Sequence, residues 1–190
     1  MAAINLPEHN LTFVHVPKSA GSSVVEWLLQ NFSDSVRVSG HPSLPMIKEM
    51  WDVKRSFAIV RNPWARIVSA YFYVKQYGYY WKENNVTTID EFPSWDHFVE
   101  TLSYNTNSWN TLGTNQTKWI EGGVDYLLRA ETLDKDFVVI QDLLNCYKPL
   151  PYINTSEHLD YRSYYKPHQI DLIGKVFIED IETFNYTFDQ

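Results

Sequence analysis

Short apolar runs alternate along the chain with longer segments whose apolar residues recur at helical spacing. Residues 13–16 (FVHV) form the first apolar run, and the apolar positions that follow share one helix face: Val24, Val25, Leu28, Leu29 and Phe32. Residues 56–60 (SFAIV) form a continuous apolar run, which is typical of a central strand covered on both faces. The stripe after it predicts a long, buried helix: Trp64, Ile67, Val68, Tyr71 and Val74.

Weaker patterns predict the remaining elements. Residues 75–119 are rich in Trp, Tyr, Asn and Thr and have weak periodicity, so we expect short helices and long loops there. The other predicted elements are a strand at residues 35–38, a short helix at 43–50, a strand at 124–129, a helix capped by Thr132, and a last helix that opens at Pro167.

Strands that alternate with helices predict an α/β fold, with a central, mostly parallel sheet flanked by helices. We expect residues 1–190 to form one domain that begins by Leu11, because this length supports one sizeable core. In such sheets the ligand lies beyond the carboxyl ends of the strands. Lys18, His41 and Arg61 each follow a predicted strand. The three side chains are therefore expected to share one site.

Composition and charge narrow the class of protein. The hydrophobic fraction of 44% and the aromatic content (Phe 10, Tyr 13, Trp 7) argue against disorder. No apolar run approaches the roughly 20 residues of a membrane span, no signal peptide is apparent, and a single cysteine, Cys146, forbids an internal disulfide. The net charge of −7 disfavours nonspecific nucleic-acid binding. We expect a cytoplasmic protein with neither nucleic acid nor membrane as a partner.

Residues 17–23 (PKSAGSS) join the first strand to the first helix in a P-loop-like arrangement. Backbone N–H groups and the positive end of the helix dipole converge at such a junction and favour an anion. Lys18 adds a charge, and three serines add donors. The ATP and GTP P-loop instead places lysine after its second glycine, beside a hydroxyl for magnesium, whereas Lys18 precedes Gly21. The alternatives are phosphate or sulfate binding and an ordinary junction with a solvated lysine.

A second candidate anion site surrounds the start of the long helix. Asn62 is a suitable N-cap and Pro63 suits the first helical position. Arg61 at the strand end and Ser69, two turns into the helix, could hold an anion together. Arg66 shares a helix face with Ser69. The alternative is a structural arginine beside a serine that fills space.

The two motifs, in this order and spacing, resemble those of the sulfotransferases that use 3′-phosphoadenosine 5′-phosphosulfate (PAPS). Residues 16–23 (VPKSAGSS) are similar to the 5′-phosphosulfate loop, and residues 60–71 (VRNPWARIVSAY) are similar to the 3′-phosphate motif. The resemblance is closest to the carbohydrate sulfotransferases, including the heparan sulfate 2-O type, in which a Gly-His pair supplies the catalytic base. Gly40 and His41 stand at that place. Weaker similarity includes Gln116, residues 126–137 and residues 184–186, so the resemblance spans most of the chain.

The resemblance implies transfer of a sulfuryl group from PAPS to a hydroxyl, with release of 3′-phosphoadenosine 5′-phosphate (PAP) and without a metal. It implies that Lys18 and His41 are catalytic, His41 as the general base, and that Arg61 and Ser69 bind the 3′-phosphate. The residues implied to hold the 5′-phosphosulfate are Lys18, Ser19, Ala20, Gly21, Ser22 and Ser23. Many relatives have glycine where this chain has Ala20, and a negative φ would accommodate the alanine. The short chain without a Golgi anchor suggests a bacterial or viral member.

The acceptor is expected to be a carbohydrate. The aromatic-rich segment at residues 70–120 is expected on the acceptor side, and its indoles could stack on sugars or belong to the core: Trp81, Trp95, Trp109 and Trp119. Residues 71–119 hold three lysines and five acidic groups, which favours a neutral or weakly charged glycan. Two other classes stay open at this point: a P-loop-type small-molecule kinase that uses ATP with magnesium, and a noncatalytic glycan-binding protein.

Overall fold

A computed structural model of the chain describes residues 2–77, 94–102, 112–153 and 158–189. The described residues contain a five-stranded sheet with the strand order β3-β1-β2-β4-β5. The strands are β1 (Ala2–Leu6), β2 (Leu11–Val14), β3 (Val36–Ser39), β4 (Arg55–Val60) and β5 (Tyr126–Arg129). Residues of β2 and β4 are almost all buried, as the apolar runs predicted.

The sheet is mixed, with a parallel part and an antiparallel part. β4 pairs in parallel with β2 on one side and with β5 on the other, whereas β1 pairs antiparallel with both β2 and β3. The predicted α/β class with a central sheet is confirmed. The fold begins by Leu11, as expected, but it does so with the buried strand β1, which the sequence pattern did not predict and which turns into β2 through a short 3₁₀ turn at Pro7–His9. A connection this short permits only antiparallel pairing.

Four of the five strands point the same way. Since β1 is antiparallel to both of its neighbours, β3 runs in the direction of β2, and β4 and β5 are parallel to β2 as well. β2, β3, β4 and β5 therefore end at one edge of the sheet, which we call the carboxyl edge. The segments that carry Lys18, His41 and Arg61 leave the sheet at this edge, as predicted.

The described helices agree with the stronger periodic patterns. They are α1 (Gly21–Asn31), α2 (Leu44–Met50), α3 (Pro63–Tyr77), α4 (Trp95–Leu102), α5 (Leu133–Asp136), α6 (Val138–Leu144), α7 (Pro167–Val176) and α8 (Ile178–Phe184), with 3₁₀ turns at Gln116–Lys118, Ala130–Thr132 and Tyr161–Tyr164. Thr132 stands at the predicted N-cap position of α5, but its side chain makes no capping hydrogen bond and its hydroxyl donates to Asp136. None of the described helices combines the length and hydropathy that a bilayer crossing requires.

The chain divides into two compact units. The first contains Met1–Arg61 and Gln116–Thr155, and the second contains Asn62–Asn115 and Ser156–Gln190. The core of the first unit is made by the sheet and by buried residues of α1 and α6, and Trp27 meets Phe137 edge to face with ring centroids 5.0 Å apart. The first unit holds the whole carboxyl edge.

The second unit is organised around α3. Asn62 caps this helix, because its Oδ1 accepts a hydrogen bond from the backbone N–H of Trp64 at 3.1 Å, which confirms the predicted cap. Arg66 is buried, donates to the backbone oxygen of Thr114 at 3.0 Å and lies over the ring of Phe177. Burial lowers the pKa of Arg66 to about 10, and the nearby charge of Asp180 opposes this shift. Arg66 therefore supports the packing of this unit.

Candidate functional site

The loop between β2 and α1 has an unusual backbone. Lys18 and Ala20 both adopt left-handed conformations, with φ of 64° and 62°, and α1 begins at Gly21. The negative φ that would accommodate Ala20 without strain is not adopted, and the left-handed conformation costs a residue with a Cβ about 1–2 kcal/mol. Left-handed residues next to right-handed ones turn successive backbone N–H groups toward the same side, which makes a concave anion site. The helix N-terminus adds its positive dipole end to this concavity.

Two cationic side chains lie beside this loop. Lys18 is partly buried, and Nη1 of Arg61 lies 3.5 Å from the backbone oxygen of Lys18. Burial, and secondly the charge of Arg61, lower the pKa of the Lys18 ammonium to about 7. A bound anion would raise the pKa of Lys18 again. Its negative charge would stabilise the ammonium that burial has removed from water, and it would weaken the repulsion between Lys18 and Arg61. The loop, Lys18 and Arg61 together therefore have the chemistry of an anion site.

The side chain of His15 is buried next to Gly21, the first residue of α1. Its ring is neutral, because its pKa is lowered to about 3, chiefly by burial. The ring occupies the space next to Gly21: a Cβ at that position would lie 2.3 Å from Cδ2 and 2.4 Å from Nε2 of His15. Glycine at position 21 is therefore required by the close approach of this ring.

His41 is oriented by the backbone of His15. Its Nδ1 lies 2.9 Å from the carbonyl oxygen of His15, and the two rings meet edge to face with centroids 4.7 Å apart. A carbonyl oxygen only accepts hydrogen bonds, so Nδ1 of His41 carries the proton and donates. The neutral imidazole then has its lone pair on Nε2, which is the form that accepts a proton from a substrate.

The 3₁₀ turn at Gln116–Lys118 connects these groups, a role that no sequence pattern predicted. Gln116 is fully buried, and its Oε1 accepts from the hydroxyl of Ser19 at 3.0 Å and from the backbone N–H of Arg61 at 2.9 Å. Its Nε2 donates to the backbone oxygen of Arg61 at 2.8 Å. The indole N–H of Trp119 donates to the backbone oxygen of His41 at 3.2 Å. The only sequence signal for this turn was the weak family similarity at Gln116.

The three remaining predicted serines differ in position. Ser22 and Ser23 lie in the first turn of α1, and the hydroxyl of Ser23 also accepts a hydrogen bond from the backbone N–H of Ile153 at 3.3 Å. Ser69 lies on α3, in the second unit, and is buried. The first unit thus brings together Lys18, His41, Arg61 and residues 19–23, and the role of Ser69 stays a prediction.

Two of the four indoles considered for sugar stacking are described. Trp119 is buried, which places it in the core. Trp95 is half-buried and packs edge to face against Tyr71 and Tyr165. Trp81 and Trp109 lie outside the described residues, so stacking by those two side chains stays a prediction. Among the residues that the structure describes, no cluster of His, Cys, Asp and Glu is placed to hold a metal ion.

Comparison with known proteins gives one family and one similar fold. A model of the Sulfotransferase family matches residues 2–187. No curated protein matches the chain. Among solved structures, the mouse sulfotransferase SULT7A1 complexed with PAP is similar, with a TM-score of 0.58 and 15% identity over 91% of this chain and 84% of the mouse chain. At this identity the mouse structure shows the fold.

The backbone of the loop leads to a reciprocal prediction for Ala20 and Gly21. Ala20→Gly should raise the free energy of unfolding by about 1 kcal/mol, because glycine adopts a positive φ without strain. Gly21→Ala should lower it by about 1–3 kcal/mol or more, because the new Cβ would overlap the buried ring of His15. Urea unfolding of both variants measures these changes. The combination His15→Ala with Gly21→Ala should cost less than the sum of its parts, and strict additivity would contradict the proposed overlap.

Proposed function

Because the chain belongs to the sulfotransferase family, we propose that it transfers a sulfuryl group from PAPS to a hydroxyl of a carbohydrate. The observation that carries this proposal is the loop of residues 17–23, whose two left-handed residues and helix N-terminus lie beside the cations Lys18 and Arg61. His41 follows β3 at the same carboxyl edge. This set offers anion binding and a proton acceptor within one unit.

The residues of this unit fit the two ends of the PAPS molecule. The backbone N–H groups of the loop and the hydroxyls of Ser22 and Ser23 hold the 5′-phosphosulfate, and Arg61 holds the 3′-phosphate. PAPS supplies an activated sulfuryl group, and its transfer resembles loose phosphoryl transfer, in which catalysis consists of positioning and charge stabilisation. Lys18 donates to the bridging oxygen that becomes the leaving group, where negative charge develops.

His41 acts on the acceptor. Its Nδ1 proton is engaged by the backbone oxygen of His15, so Nε2 is the atom that accepts the proton of the attacking hydroxyl. Positioned proton transfer of this kind is worth about 10²–10⁴ in rate. The Gly40-His41 pair also supports the carbohydrate class of acceptor, through the resemblance to the heparan sulfate 2-O type.

The charge of the chain bears on the acceptor. Residues 71–119 carry a net negative charge and the whole chain carries −7, so a neutral or weakly charged glycan suits it better than a highly sulfated one. An exposed indole at Trp81 or Trp109 would supply a stacking surface for such a sugar. A bacterial or viral source for the chain stays a prediction.

The proposed function is tested by calorimetric titration with PAP, with ATP and magnesium, and with neutral oligosaccharides. Tight binding of PAP and weak binding of ATP with magnesium are expected. Preference for ATP with magnesium would support a kinase, and binding of oligosaccharides without any nucleotide would support a glycan-binding protein.

Arg61→Ala should weaken PAP binding by roughly 2–4 kcal/mol, because a partly buried phosphate would lose its charge partner. Adenosine 5′-phosphosulfate, which lacks the 3′-phosphate, should bind the variant nearly as well as the wild type. Arg37→Ala is the control, since Arg37 is exposed on the edge strand β3. Calorimetry on both ligands decides the role of Arg61: equal losses would assign this residue to the fold.

The affinity for PAP should fall as pH rises above about 7. The pKa of Lys18 in the free protein is about 7, and a bound anion raises it, so the protonated form binds more tightly. Between the free and bound pKa values the affinity falls by up to about tenfold per pH unit. The phosphate groups do not titrate in this window, because their second pKa is about 6.

The Lys18→Met variant should bind PAP weakly and with little pH dependence between about pH 7 and about pH 9. Lys48→Met, which changes an exposed lysine of α2, should keep the wild-type pH profile. A Lys18→Met profile as steep as that of the wild type would show that another group titrates.

His41→Ala should stay folded and keep its affinity for PAP but lose most sulfuryl transfer, because the imidazole is proposed to act on the acceptor proton and not on the nucleotide. The acidic limb of the pH–rate profile should disappear, since it would report protonation of this ring. The assay measures PAP release from PAPS with neutral oligosaccharides, and His168→Ala, on the exposed side of α7, is the control. Near-normal turnover with an unchanged acidic limb would eliminate His41 as the base.

A further inference from the structure

We infer that the turn of residues 116–119 is a positioning element that holds the nucleotide loop, Arg61 and His41 in one fixed arrangement. The inference rests on the proposed function, because it assigns a role in that same site to residues that contact neither anion nor acceptor. Its basis is a set of hydrogen bonds that reach all three functional segments from two residues of this turn, Gln116 and Trp119.

Gln116 makes the bonds on the nucleotide side. Its amide pairs with both backbone groups of Arg61, accepting from the N–H at 2.9 Å and donating to the carbonyl at 2.8 Å. Arg61 directly follows β4, so the amide continues the hydrogen bonding of the sheet by one residue beyond the strand. Only a side-chain amide offers a donor and an acceptor in this geometry. Glutamate would lack the donor, and asparagine would be one methylene too short.

The same amide oxygen also fixes the loop. It accepts from the hydroxyl of Ser19, which is fully buried and lies between the two left-handed residues Lys18 and Ala20. Strained backbone of this kind persists only where the surroundings over-determine it. A buried hydroxyl without a hydrogen-bond partner would destabilise the fold by its full desolvation free energy. The contact between Ser19 and Gln116 therefore stabilises the loop conformation that gathers the N–H groups.

Trp119 makes the bonds on the side of the base. Its indole N–H donates to the backbone oxygen of His41, and its own backbone oxygen accepts from the N–H of Leu44 at 2.7 Å, where α2 begins. The segment of residues 41–44 is thus held near both of its ends. Gly40, just before it, has a φ of 88° with open space around it, so no side-chain packing at that position restrains the segment.

A backbone hydrogen bond links Gln116 and Trp119, the two residues of the turn that contact the site. The backbone N–H of Trp119 donates to the backbone oxygen of Gln116 at 3.0 Å and closes the turn. A displacement of Gln116 would consequently be passed to Trp119 and then to His41 through two hydrogen bonds. The arrangement therefore sets the distance between the residues for the nucleotide and the residue for the acceptor.

The first arm of the test compares two buried glutamines. Gln116→Met should lower the affinity for PAP by about tenfold or more, because Arg61 and Ser19 lose their partner. Gln169→Met is the matched control, since Gln169 is also fully buried and bonds to Lys166 and Asp96, which have no proposed role in binding. Both variants should lose thermal stability, and only the first should lose affinity. Unchanged PAP affinity in folded Gln116→Met would overturn the inference.

The second arm uses a milder change. Trp119→Phe removes the indole N–H together with the five-membered ring that carries it, and nitrogen NMR of the imidazoles, with His41→Gln to assign the His41 signals, reports the tautomer of His41. A single Nδ1–H form is expected in the wild type, and a mixture is expected in Trp119→Phe. Trp64→Phe is the control, because its indole N–H donates to the backbone oxygen of Ile170. An unchanged His41 tautomer in Trp119→Phe would overturn the inference.

The two arms separate this inference from the proposed function. A wild-type protein that does not bind PAP would contradict the proposed function, whereas the NMR arm would still decide whether the turn orients His41. If Gln116→Met does not fold, the comparison of Trp119→Phe with Trp64→Phe decides the inference alone.

Discussion

The position of the His15 ring is the constraint on which the rest of the site depends. The ring is buried at the carboxyl end of β2, its Nδ1 accepts a hydrogen bond from the backbone N–H of Ala2 at 3.4 Å, and it stacks on Phe13. These contacts hold the ring next to Gly21. Helix α1 can therefore start where it does only because position 21 has no side chain.

The neutrality of this ring matters as much as its place. A charged imidazole under the loop would add a third cation beside Lys18 and Arg61, whereas burial holds the pKa of His15 at about 3. Its backbone carbonyl meanwhile selects the tautomer of His41. One buried side chain thus supports the anion loop by packing, and its backbone orients the residue proposed to accept the proton.

Gathering cations at the carboxyl edge destabilises the fold, and hydrogen bonds elsewhere in the first unit offset this destabilisation. The lowered pKa of Lys18 shows that the folded protein disfavours its charged form before an anion binds. Two left-handed residues add strain to the same loop. The two partly buried hydrogen bonds between Gln116 and the backbone of Arg61, together with the buried bond from Ser19 to Gln116, offset this strain. Electrostatic catalysis requires such preorganised donors, since they need not rearrange when negative charge develops in the transition state.

The sequence by itself determined the α/β class, the strand–loop–helix at residues 13–32, the N-cap at Asn62 and the gathering of Lys18, His41 and Arg61 at one sheet edge. These features follow from local periodicity, from capping chemistry and from the order of strands and helices, which residues close together in the sequence decide. The tertiary structure alone decided the antiparallel strand β1, the left-handed φ at Ala20, the contact of His15 with Gly21 and the role of Gln116. Each of these depends on residues distant in the chain, and Gln116 and Ser19 are separated by 97 positions. No local pattern encodes such a contact, because its energy arises only when folding buries both groups together.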